Sequence, residues 1–329
     1  MEAVESLRRA PLPPPPGGLP LAVFNATETE QVEAADYLAR HWRSPAPGRL
    51  RPGSAEHRQA VARMFQETFN PYRPSVIDWP VLSAAARDRL VSLPIWDIAV
   101  QTEGKASQNM QSYADSEPDP DWKLCVQQNA WEERRHKVVL HDMVKTYGIR
   151  LEPEPPYPAP RDTQWAYLVT GYSECIDSFF AFGLYVVAQR SGMFPEPLVA
   201  VFEPVMQEEC RHILLFANWV AAHRAGLNPF QRIWFELRVL AVWVFLAWER
   251  MGIARGMDSG DRDQPAPAPQ DNNFTLTGSK AVSDQDLSIG EVLRTCLAEN
   301  DRRFAGYDER LLRPTTVPAL ARFALRFIR

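Results

Sequence analysis

The stretch Trp131-Glu132-Glu133-Arg134-Arg135-His136 has a counterpart downstream, Gln207-Glu208-Glu209-Cys210-Arg211-His212. Each copy sets a Glu and a His three residues apart, Glu133 with His136 and Glu209 with His212, on one face of a helix. A carboxylate oxygen beside an imidazole nitrogen suits a first-row transition metal such as iron or manganese. Two such pairs, each joined by one more Glu from a neighbouring helix, compose a dimetal carboxylate site inside a four-helix bundle. The bland alternative is a solvated helix face. The flanking residues argue against it: Trp131, Val138, Val139 and Leu140 surround the first motif, and Ile213, Leu214, Leu215, Phe216 and Trp219 follow the second. Helices this apolar are buried, and buried charge must be paired or metal-bound.

Turn positions supply the two missing glutamates. Ligands at one level on antiparallel helices sit about equally far from the turn between them. The midpoint of Glu103 and Glu133 is residue 118, inside Glu117-Pro118-Asp119-Pro120-Asp121. The midpoint of Glu174 and Glu209 falls at Ser191-Gly192, a helix stop before Pro195. The midpoint of Glu133 and Glu174 falls in Glu152-Pro153-Glu154-Pro155-Pro156. The expected fold is therefore all-α, with helices over 96–114, 122–147, 162–190 and 197–224, and with Pro204 kinking the last of them. A fifth helix over 230–254 is apolar nearly all round and should be largely covered. Residues 1–84 read as a Pro-rich, partly helical extension lying on the bundle domain 85–255. Residues 256–286 read as a flexible polar loop, and 287–329 as C-terminal helices packed on the bundle.

The composition narrows the function. The chain has 329 residues, 45% of them hydrophobic, and a net charge of −5, which gives no electrostatic case for nucleic acid. The four cysteines form no Cys-x-x-Cys pair, which points to a reducing cytoplasm. The longest apolar run, Val239 to Trp248, is too short to span a bilayer. The basic tail ALARFALRFIR has the pattern of an interfacial helix at a membrane surface, but packing on the bundle is its ordinary reading. His141 and His223 lie outside the metal register and read as ordinary polar contacts, and Cys175 and Cys210 as small core residues. No Gly-x-Gly-x-x-Gly or P-loop occurs. The pattern leaves a homodimer open.

The segments WDIAVQTEGKASQ around Glu103, WEERRHKVVLHDM, GYSECIDSFFAFG around Glu174, and MQEECRHILLFANW make residues 95–225 resemble the ferritin-like di-iron oxygenase superfamily. The resemblance is nearest to the branch of soluble acyl-carrier-protein desaturases, bacterial multicomponent monooxygenases and the aerobic magnesium-protoporphyrin ester cyclase. It implies two iron ions, or a manganese–iron pair, held by Glu103, Glu133, His136, Glu174, Glu209 and His212, with Glu133 and Glu209 bridging. Glu132 and Glu208 match the carboxylates that orient the His ligands, and Arg135 and Arg211 the arginines paired with them. Asp177 and Ser178 stand where relatives carry hydroxyl residues and would relay protons; for Asp177 an outer salt bridge is the alternative. Gly104 replaces a second acidic residue, either as a helix packing contact or as space for substrate. The implied function is an O2-dependent oxidoreductase, hydroxylase-, oxygenase- or desaturase-like, acting on a mostly apolar organic substrate. Its electrons would come from a separate ferredoxin or flavin reductase. The alternative is a non-enzymatic iron-handling protein, for storage or peroxide removal.

Overall fold

A computed structural model of the chain describes residues 12–18, 29–72, 74, 77–93, 95–258 and 288–328. Among these residues the regular structure is helical throughout, with no β-strand. An N-terminal trio comprises α1 (Thr29–His41), α2 (Ala55–Glu67) and α3 (Ala84–Ser92). Four long helices carry the motifs: α4 (Trp96–Ser116), α5 (Pro120–Tyr147), α6 (Thr163–Ser191) and, after the short α7 (Glu196–Ala200), α8 (Glu203–Gly226). Then follow α9 (Pro229–Asp258), α10 (Ile289–Phe304) and α11 (Thr316–Ala324).

Local chemistry sets the turns where the ligand spacing requires them. Asp119 caps α5 by accepting from the Asp121 and Trp122 amides, with Pro120 at the first helical position. Gly148 ends α5 at φ 70°, and Gly192 ends α6 at φ 63°, left-handed conformations that any Cβ would strain. Asp162 opens α6 by accepting from the Trp165 amide. Helices α4 and α6 run antiparallel: Asn109 donates to Thr170 at 3.0 Å, and the Ser116 and Thr163 hydroxyls lie 3.0 Å apart. That register brings Glu103 level with Glu174. Apolar side chains fill the space between the long helices. Met110, Tyr167, Phe182, Phe216 and Trp219 are all buried, and each contributes about 1.5–3 kcal/mol of transfer free energy.

Pro204 does not kink a continuous helix over 197–224. The chain breaks between α7 and α8, and Pro204 occupies the start of α8, where its missing N–H has no helical partner to lose.

The fifth helix departs further from expectation. Phe235, Val239, Val242 and Leu246 of α9 are buried, but Trp234, Leu240, Val244 and Trp248 on its outer face are 60–73% exposed. A helix apolar all round can be covered on one side only, and the sequence pattern does not distinguish the two cases.

The extension and the tail pack on the long helices and on each other. His57 Nε2 lies 2.9 Å from Asn218 Oδ1, and the Asn218 amide nitrogen donates to Leu312 O at 2.8 Å. Arg310 donates to Ser44 O at 2.8 Å, and Asp308 accepts from the Ser44 amide at 3.0 Å. Val317 and Ala321 of α11 are buried while Phe323 and Phe327 are exposed. The loop expected over 256–286 lies outside the described residues beyond Asp258. No described helix is long and apolar enough to cross a membrane.

Candidate metal centre

The two motifs meet in the middle of the long helices, and each supplies the other. His136 Nε2 donates to Glu208 Oε2 at 2.7 Å; His212 Nε2 donates to Glu132 Oε2 at 2.8 Å. The carboxylates that hold the histidines are thus exchanged between α5 and α8. The arginines close the arrangement: Arg135 lies 2.6 Å from Glu208, and Arg211 donates to Glu132 at 2.7 Å. Burial opposes ionisation of Glu132, but Arg211, His212 and Arg135 outweigh it and bring its pKa down to about 2.

With Nε2 of each imidazole engaged, Nδ1 faces inward. His212 Nδ1 lies 2.7 Å from Glu133 Oε1, and His136 Nδ1 lies 3.5 Å from both Glu103 Oε2 and Glu209 Oε1. None of these contacts is aligned as a hydrogen bond. Both Nδ1 atoms, Glu133 Oε1 and both oxygens of Glu174 are buried without a hydrogen-bond partner. Orphaned polar atoms are rare in folded interiors, and five converging on one point need an explanation. Their placement gives one: Glu103, Glu133 and His136 form one group that could hold a metal ion, and Glu133, Glu174 and His212 a second, with Glu133 common to both.

The electrostatics agree. Burial, with Glu209 and Glu103 adding like charge, pushes the pKa of Glu133 well above the usual carboxylate range. Burial and the charges of Glu133 and Glu209 do the same to Glu174. Burial disfavours a charged His136, yet Glu103 and Glu208 outweigh it and raise its pKa well above the imidazole range. The cluster asks for positive charge, supplied by protons or by cations bound at the same atoms.

Glu209 lies outside the two three-residue groups but close to both histidines, 3.5 Å from His136 and 3.9 Å from His212. Ser178 donates to its Oε2 at 2.8 Å. Asp177 sits in the outer salt bridge, 2.8 Å from Arg250, and also accepts from Ser173 at 2.8 Å. A Cβ on Gly104 would meet the Tyr157 ring at 2.8 Å and Lys137 Nζ at 2.9 Å, so this glycine makes a packing contact and opens no space for substrate.

His141 pairs with Glu154 at 2.8 Å. His223 stacks on Trp219 with ring centroids 4.9 Å apart. All four cysteines are free and buried.

Several contacts behind the two motifs were not foreseen from the sequence. The buried Arg135 donates to Asn70 O at 2.5 Å and lies 3.9 Å over the Tyr72 ring. Arg211 donates to Thr68 Oγ1 at 3.0 Å and Phe65 O at 2.7 Å. The segment 65–72 therefore orients both arginines. Backbone carbonyls have no sequence signature, and more than 60 residues separate these partners along the chain. Glu249 directly follows the apolar run Val239 to Trp248 and is buried.

The carboxylate cluster opens onto a cavity of about 270 Å³ between α4 and α6, with Glu103, Glu133, His136, Glu174 and Glu209 in its wall. One end is apolar, lined by Leu90, Leu93, Trp96, Ala188, Phe194 and Leu198. No protein-family model, curated protein or solved structure matches this chain.

Proposed function

We propose that the chain is a di-iron oxidoreductase of the ferritin-like kind, activating O2 to oxidise a mostly apolar organic substrate with electrons from a separate donor. The observation that carries this reading is the set of orphaned donor atoms. Two imidazole Nδ1 atoms, Glu133 Oε1 and both Glu174 oxygens converge without hydrogen bonds, beside a largely apolar cavity. A solvated or purely structural charge cluster would pair those atoms.

Glu103, Glu133 and His136 would hold one ion; Glu133, Glu174 and His212 would hold the other; Glu209 would reach both. Iron bound there supplies the redox chemistry of O2 reduction. The protein's own residues do the rest. Glu208 and Glu132 fix the imidazole tautomers and aim each Nδ1 inward. Arg135 and Arg211 balance the negative charge from behind. Ser178 holds a proton at Glu209 Oε2, at the edge of the cavity, where a carboxylate–hydroxyl pair can pass it inward. The apolar cavity wall excludes water from the reacting carbon.

The test is iron analysis followed by O2 uptake of the reduced protein, with and without a ferredoxin-type donor. About two irons per chain, and uptake that stops near one turnover until donor is added, fit the proposal. Accumulation of many ferric ions per chain without donor would instead mark an iron store.

A further inference from the structure

The cavity has a polar end as well as an apolar one. The antiparallel register of α4 and α6 puts Lys105, Asn109, Thr170 and Ser173 on one side of the Glu103–Glu174 level, with Trp96 and Ala188 on the other. Glu249, from the C-terminal part of α9, joins the polar end. Its carboxylate lines the cavity, is 9% exposed, and leaves Oε2 without a hydrogen bond. The nearest Arg250 nitrogen, Nη1, is 4.0 Å away, too far for a hydrogen bond, and is itself without one, while Nη2 is taken up by Asp177 and Ser173. Burial raises the Glu249 pKa to about 7, with Lys105 and Arg250 opposing it and Asp177 adding to it.

We propose that Glu249 recognises a hydroxyl group on an otherwise apolar substrate, whose hydrocarbon body then runs past Glu103 and Glu174 into the Trp96–Phe194 end. A buried acceptor in an apolar wall selects a ligand that donates to it. Charge narrows the class further. Lys105 and Arg250 already flank the carboxylate, so an ammonium would add a third cation; a carboxylate would face Glu249 and Asp177. A neutral donor has neither penalty. A water molecule on Oε2 in the resting protein would be displaced by a group that reproduces its hydrogen bond. The inference rests on the cavity being the substrate site of the proposed oxidoreductase.

The experiment is calorimetric binding of 1-decanol, decane, decanoate and decylamine to the full chain and to the Glu249→Ala, Glu249→Gln and Ala188→Trp variants. 1-Decanol should bind the wild type in preference to the other three. Glu249→Ala should weaken it by roughly 10–100-fold, as loss of a hydrogen bond to a charged group does. Glu249→Gln, which keeps an acceptor oxygen, should lose less. Ala188→Trp should block the apolar end with Glu249 intact. Failure of 1-decanol to bind, equal binding by Glu249→Ala, or a preference for decane, decanoate or decylamine would overturn the proposal. Metal content is read on the same samples. Protein that holds no metal yet binds 1-decanol through Glu249 fails the functional reading and leaves this one standing.

The outer face of α9 carries a separate inference. Phe230, Ile233, Leu237, Leu240, Val244 and Met251 are 51–80% exposed; the first five follow the alternating three- and four-residue steps of a coiled-coil seam, and Met251 lies one heptad beyond Val244, past Ala247. With Trp234 and Trp248 beside it, the patch comprises three aromatic side chains of about 150–250 Å² each and five smaller aliphatic ones, all 51–80% exposed, so its apolar surface is on the order of 1,000 Å². A monomer's largest apolar patch is about 300–600 Å², and a standard interface takes about 800 Å² from each partner. We infer that this face is the seam of a homodimer, α9 against α9. The heptad spacing favours a helix as partner over a lipid surface. Light scattering should give a dimer for the wild type in detergent-free buffer and a folded monomer for Leu237→Lys/Leu240→Lys, with helicity checked by circular dichroism. A wild-type monomer, a dimer that survives the double substitution, or co-flotation of the wild type with phosphatidylglycerol vesicles would overturn it.

Discussion

Glu132 and His212, 80 residues apart in the chain, meet at 2.8 Å in the buried centre of the protein, and His136 and Glu208 repeat the contact at 2.7 Å. Each motif therefore completes the other. Neither half-site stands alone, so damage to one carboxylate should be felt at the opposite helix.

Glu132→Gln tests this exchange. The substitution keeps an acceptor but removes the charge that fixes the His212 tautomer and balances Arg211. Metal affinity, measured by chelator competition, should fall by about 10–100-fold, as losses of such supporting partners do. An unchanged affinity would show that His212 needs no orientation from α5.

Arg135→Ala leaves the Glu208 carboxylate buried beside His136 without its cation. Removing one member of a buried ion pair typically costs about 3–5 kcal/mol. Urea denaturation should detect a loss of that size. A loss under about 1 kcal/mol, the range of exposed pairs, would mean that solvent reaches Glu208.

Gly183 faces the backbone of α10, where an added Cβ would lie 3.0 Å from Cys296 Cα as well as overlapping its sulfur. Gly183→Ala should destabilise the protein by about 1–3 kcal/mol through overpacking, despite the higher helix propensity of Ala. A stabilised variant would show that α10 can move away from α6 freely.

Glu154 ties the connection after α5 back onto that helix through Lys137 at 2.5 Å and His141 at 2.8 Å, and accepts from Tyr157 of the same connection at 2.8 Å. Burial opposes its ionisation, but His141, Lys137 and Tyr157 prevail and hold its pKa at about 2. The folded value lies below the unfolded one of about 4.3, so the stabilisation is present above that pH and is lost as the pH falls through about 2. The difference in melting temperature between wild type and Glu154→Gln should be full and level above about pH 5, narrow below about pH 4 and vanish only below about pH 2. A constant difference would assign the effect to packing.

Much of the centre was legible because helical periodicity ties spacing to direction. Glu133 and His136 had to share a face, and the turns at Glu117–Asp119 and Gly192 had to fall midway between level ligands. The contacts behind the arginines were not legible. They use the carbonyls of Phe65 and Asn70, and a carbonyl is the same on every residue. The outer face of α9 was misread because Trp234 and Trp248 look alike in sequence whether covered or exposed. Pro204 was misread because a proline that starts a helix and one that bends it differ only in where the preceding turn ends.

The most direct measurement of the central claim is the metal content of the iron-loaded wild type beside Glu133→Ala, by elemental analysis. Glu133 belongs to both candidate groups. The account predicts about two ions per chain in the wild type and loss of both in Glu133→Ala, with the helical fold retained. A wild type without metal after loading under reducing conditions, or a Glu133→Ala variant that keeps both ions, would contradict it.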